Sequence, residues 1–137
     1  MIISLVAALV AAAHPAPGRA DPIVGMWMNA KGTVAVRTSH CGPALCGRIV
    51  WADAAAQEAA RAGGTEHLVG TELFHDVRAT GPGAWEGEVF VPDLATTADG
   101  SLTLVGSDTL EIDGCRLGGL LCRKQVWHKI AALPRGR

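Results

Sequence analysis

The strongest constraint on this chain is its punctuation: from Gly25 onward, short apolar runs are broken by Gly, Pro and Asp turn signals. Gly25–Met28 is the first run, and Lys31-Gly32 turns the chain. Thr33–Ser39 follows, with Val34 and Val36 on one face and Thr33, Ala35 and Arg37 on the other. A Gly-Pro turn separates it from the nearly continuous apolar run Cys46–Trp51. Thr71–Ala79 is the fourth run, ended by Gly81-Pro82-Gly83. In Trp85–Val91, Trp85, Gly87, Val89 and Val91 share one face, opposite Glu86, Glu88 and Phe90. Pro92 ends that run, and Asp99-Gly100 reads as a turn. Ser101–Val105, Thr109–Asp113 and Cys122–Ile130 complete the set, with Leu102 and Leu104 on one face and Leu110 and Ile112 inward.

One segment breaks the pattern. Asp53 can cap a helix through Ala54–Arg61, because alanine is the best helix former and Gly63-Gly64 can stop it. It lacks a large apolar side chain to anchor it, so it reads as a surface helix or loop. The predicted fold is therefore all-β: an eight-stranded antiparallel up-and-down barrel with a short helical insertion after the third strand. Full closure removes exposed edges; an open sandwich is the alternative. Eight strands enclose a space that side chains fill or that holds one small ligand.

Ile2–Ala13 is apolar but shorter than the ~20 residues that span a bilayer. Breakers follow, and small residues at Gly18 and Ala20 suit a signal peptidase. Residues 1–20 are read as a signal peptide cut after Ala20, with Ala13 as a second possible site. The missing Lys or Arg before the apolar run leaves open a start upstream of Met1; a buried N-terminal helix is the competing reading. Residues 21–137 form a single domain that is periplasmic or secreted, with no transmembrane segment. The net charge of −1 and the absence of a basic stripe disfavour nucleic acid as a partner.

An even cysteine count in an exported chain reads as disulfides. The local pairs Cys41–Cys46 and Cys115–Cys122 are favoured among three possible pairings, because each closes a short loop. A four-cysteine zinc site is the rival, but its C-x4-C and C-x6-C spacings differ from the usual C-x2-C turn.

Two signatures then carry a resemblance. Gly25-Met-Trp27, Val34-Ala-Val36-Arg37 and Cys41-Gly-Pro-Ala-Leu-Cys46-Gly-Arg-Ile-Val-Trp51 resemble the start of a bacterial exported family, domain of unknown function 2147. Gly114-Cys115 through Cys122-Arg-Lys-Gln-Val-Trp127-His-Lys129 resembles the second signature of its two-disulfide branch. The resemblance implies a lipocalin-like barrel and an exported protein. Many members carry an Asp…Asn-Pro-Asp stretch after the third strand, where this chain has its alanine-rich segment. The Gly25-x-Trp27 pattern implies that Trp27 closes the barrel floor under a cation, here Lys129 where the family usually has Arg.

Trp51, Trp85 and Trp127 are candidates to line a ligand, or else ordinary core. Arg37 and Arg48 flank the first cysteine turn and could receive an anionic head group at the barrel mouth. His40, His67, His75 and His128 lack the spacing of a zinc enzyme and read as solvent-exposed. Glu86 and Glu88, about 7 Å apart by strand rise, could form an acid/base pair but more simply face solvent. No catalytic residue, metal site or cofactor is assigned. The leading expectation is a non-enzymatic binding module for a small apolar or amphipathic ligand. The alternative is an envelope interaction or stress-related protein with a filled barrel.

Overall fold

A computed structural model of the chain describes residues 21–116 and 121–135. The proposed signal peptide lies outside the described residues. Eight strands follow in chain order: β1 Gly25–Asn29, β2 Val34–Cys41, β3 Ala44–Ala52, β4 Phe74–Gly81, β5 Ala84–Val91, β6 Thr96–Val105, β7 Thr109–Arg116 and β8 Leu121–Ile130. Each pairs antiparallel with its neighbour, and β1 closes on β8. This is the up-and-down barrel that the turn spacing predicts. Helix α1 (Ala54–Ala62) joins β3 to β4, and a 3-10 turn, Pro92–Leu94, joins β5 to β6.

Three details differ from the sequence reading. First, Asp99-Gly100 lies inside β6, not at a turn. Gly100 is needed for close packing: a Cβ there would stand 2.3 Å from Val89 Cγ2. Second, the fourth strand starts later than Thr71. Residues 70–73 instead run beside β3 as irregular chain, with Leu73 N donating to Gly47 O (2.7 Å) and Ile49 N to Thr71 O (2.9 Å). Third, α1 is more than a surface element. Asp53 caps it by accepting from Ala56 N at 2.7 Å, and Ala60 is fully buried in the core. Small side chains let this helix sit close: a Cβ on Gly63 would fall 1.8 Å from the Asp93 carbonyl of the 3-10 turn.

The connections give the barrel two distinct ends. At one, α1 and the 3-10 turn pack together and Thr65 Oγ1 donates to Pro92 O at 2.7 Å. At the other lie the tight turns of β2–β3, β4–β5 and β6–β7, with Ile23 folded under Trp27. The buried side chains Trp27, Val36, Ile49, Phe74, Val77, Trp85, Leu102, Leu110, Ile112 and Trp127 belong to one continuous core. Glycine extends the packing. A Cβ on Gly47 would stand 2.5 Å from the Phe74 ring, and one on Gly87 would stand 2.6 Å from Val77 Cα.

Candidate functional site

The floor is built around Trp27, which is fully buried. Its indole N–H points at Ile23 O (3.2 Å) and Thr38 Oγ1 (3.1 Å). Thr38, also buried, accepts from Gly25 N at 3.1 Å and donates to the Ile23 carbonyl. One hydroxyl therefore ties the segment before β1 to β2, satisfying groups that would otherwise be stranded in the core. Sequence reasoning missed Thr38, since a threonine in a strand usually signals only β propensity. From β8, Lys129 Nζ stands 5.0 Å from the centre of the Trp27 ring system. The same ammonium donates to Pro22 O at 2.5 Å and reaches Val24 O at 3.4 Å.

The tryptophan candidates do not converge on one space. Trp85 and Trp127 belong to the core, whereas Trp51 is only half-buried and outside it. The cause is a bulge. Ala35 pairs with Trp51 and Val36 with Ile49, so Val50 is the extra residue and Ala52, not Trp51, joins the core. Strict alternation from Ile49 would have placed Trp51 inside. The Trp127 indole nitrogen is buried without a hydrogen-bond partner among the described residues.

Arg37 and Arg48 are not at a mouth. They are direct cross-strand partners on the exposed wall of β2–β3. With Ser39, the Cys41–Cys46 disulfide, Val50 and Glu72 they line a groove of about 350 Å³. Arg48 donates to Glu72 Oε1 through Nε (2.9 Å) and Nη2 (2.8 Å). Glu72 is absent from the sequence candidates because the irregular segment carrying it has no strand periodicity.

The cysteines form Cys41–Cys46 and Cys115–Cys122, which removes the four-cysteine zinc alternative. Among the described residues, no group of three or more His, Cys, Asp or Glu stands where it could hold a metal. His40, His67, His75 and His128 are exposed, and His40 Nε2 lies 2.9 Å from Asp21 Oδ2. Glu86 and Glu88 are exposed beside Asp99 and Asp113.

A closed eight-stranded barrel with next-neighbour connections and a tryptophan floor is a lipocalin-like barrel. The chain belongs to the family described as "Uncharacterized protein conserved in bacteria (DUF2147)", whose model matches residues 25–129. Among solved structures it is similar to protein HP1028 of Helicobacter pylori, described as belonging to the lipocalin family. That match has a TM-score of 0.61 and 10% identity, and covers 80% of this chain and 83% of that one. It is also similar to a redesigned β-barrel, with a TM-score of 0.50 and 14% identity over 81% and 93% of the two chains. At these identities the likeness is one of fold. No curated protein matches this chain.

Proposed function

We propose that this is an exported, non-enzymatic barrel protein whose interior is structural and whose outer wall carries its function. The observation that supports this is the filling of the barrel. Aromatic and branched side chains from all around the wall meet in one core, and neighbouring side chains occupy the space at Gly47 and Gly100. A carrier of a drug-sized ligand needs a cavity of roughly 300 Å³ or more lined by apolar groups. The groove over Arg37 and Arg48, and a second of about 440 Å³ over Glu86, Glu88 and Asp99, lie on the outer wall among charged residues. Two disulfides support the exported reading. Among the described residues no helix is long and apolar enough to cross a membrane.

The test is native mass spectrometry of protein purified from its own envelope, with titration of a fatty acid followed by tryptophan fluorescence. The expected outcome is the bare polypeptide mass and no saturable change. A co-purifying apolar molecule that R37Q still retains, or a saturable shift lost on filling the barrel further, would overturn the reading. One observation favours the ligand-carrying alternative: the buried indole N–H of Trp127, without a partner among the described residues, is a donor that a small guest could satisfy.

A further inference from the structure

The wall of β2–β3 carries an imbalance of charge. Arg37 and Arg48 face each other across the strand pair. Directly opposed residues have Cβ atoms about 4.5–5.5 Å apart, where like charges destabilise a sheet. Only one of the two is neutralised. Glu72 takes the Nε–Nη2 edge of Arg48 with a single oxygen, leaving Nη1 of that guanidinium uncommitted to it. Arg37 has no carboxylate partner among the described residues; its Nη2 donates to Met26 Sδ at 3.5 Å. The groove therefore holds two cations and one anion. Ser39 adds a hydroxyl, and Val50 with the Cys41–Cys46 sulfurs adds an apolar wall.

We infer that this groove binds an organic phosphate monoester. Planar guanidinium donors match oxyanions, and the Arg37 fork together with the free Arg48 edge supplies more donors than one carboxylate needs. A tetrahedral phosphate offers oxygens to both arginines and to the Ser39 hydroxyl. The groove, at about 350 Å³, exceeds the size of a bare phosphate and leaves room for an organic group against Val50 and the disulfide. Glu72 is a positioning residue: it fixes the Arg48 guanidinium and also repels the ligand.

The inference rests on the outer-wall reading and fails separately from it, because its test reports on β2–β3 and not on the core. The full chain, with both disulfides formed, is titrated with phenyl phosphate, inorganic phosphate and benzoate while backbone amide resonances are followed. Phenyl phosphate is expected to move amides of residues 37–50 saturably, with at least tenfold weaker binding for benzoate. R37Q is expected to lose tenfold or more in affinity. E72Q is expected to hold or gain affinity, and since both side chains are exposed at least in part, retained dispersion of the spectrum checks folding. Vesicles containing phosphatidic acid distinguish the source. Co-sedimentation that phenyl phosphate competes away assigns a lipid headgroup; soluble binding without co-sedimentation assigns a soluble ester. Unmoved β2–β3 amides, or R37Q binding like the parent chain, would overturn the site.

Discussion

Single atoms decide much of this barrel's stability. The Thr38 hydroxyl serves Trp27, Gly25 and the Ile23 carbonyl in a buried setting. Thr38→Val keeps the shape but strands the Gly25 amide, and should lower unfolding free energy by about 1–3 kcal/mol in urea titration. Trp127 makes the opposite case. Its indole N–H has no partner among the described residues, so Trp127→Phe removes an unmet donor together with some packing. The two effects oppose, and the net change should stay within about 1 kcal/mol, against about 3–5 kcal/mol for Trp127→Ala. The same urea titrations check both; a Phe variant as damaged as Ala would show that indole volume, not polarity, governs the site. None of this hydrogen bonding was legible in the sequence. Trp27 stood out through its Gly-x-Trp setting, but nothing along the chain marks which hydroxyl will meet its nitrogen.

At the level of strands and helix, the order of the elements was readable and their departures from regularity were not. Alternation within β5 placed Trp85 inside and Glu86 outside because nothing interrupts that strand's pairing with β6. The same logic failed in β3, where one extra residue at Val50 turned Trp51 out of the core. A bulge changes the count by one and leaves no trace in composition. Glycine was ambiguous for a related reason: the residue that permits a tight turn also permits close approach of two walls. Gly87 and Gly81 separate the two uses. A Cβ at Gly87 meets the Val77 and Asp76 backbone at 2.6 and 2.7 Å, whereas one at Gly81 meets nothing within 4 Å. Gly87→Ala should therefore cost about 1–3 kcal/mol through overpacking, and Gly81→Ala should stay within about 0.5 kcal/mol. Thermal denaturation of the two variants side by side checks the contrast. The docking of α1 was likewise invisible, since alanine at position 60 scores as helix former whether it faces water or the core.

Across the whole molecule, the disulfides staple opposite ends. Cys41–Cys46 lies in the β2–β3 hairpin at the floor end, and Cys115–Cys122 joins directly opposed residues of β7 and β8 at the helix end. Thiol titration of unreduced, denatured protein should find no free cysteine. Replacing either pair with serine should remove about 2–3 kcal/mol by the loop-entropy account. The two losses should add, because separated sites without shared partners behave independently. Strong non-additivity in denaturant midpoints would show that the ends communicate through the wall. The global topology was the most legible feature of all, because consecutive short strands with tight turns have few ways to pair.

The irregular stretch beside β3 has a dynamic consequence. Regular pairing between β3 and β4 is limited to Ala44 with Arg78 and Leu45 with Val77. Beyond that, β3 is held by residues 70–73 and by the exposed Arg48–Glu72 bridge. The barrel is thus a ribbon wound into a ring with a basted seam. Hydrogen exchange should show the Ile49 and Leu73 amides opening before those of the β6–β7 ladder, since segments with fewer ladder contacts unfold locally at lower free energy. When that seam parts, β3 becomes a bare edge open to pairing with another chain. The stitch contributed by Glu72 therefore guards against self-assembly as much as it orients an arginine.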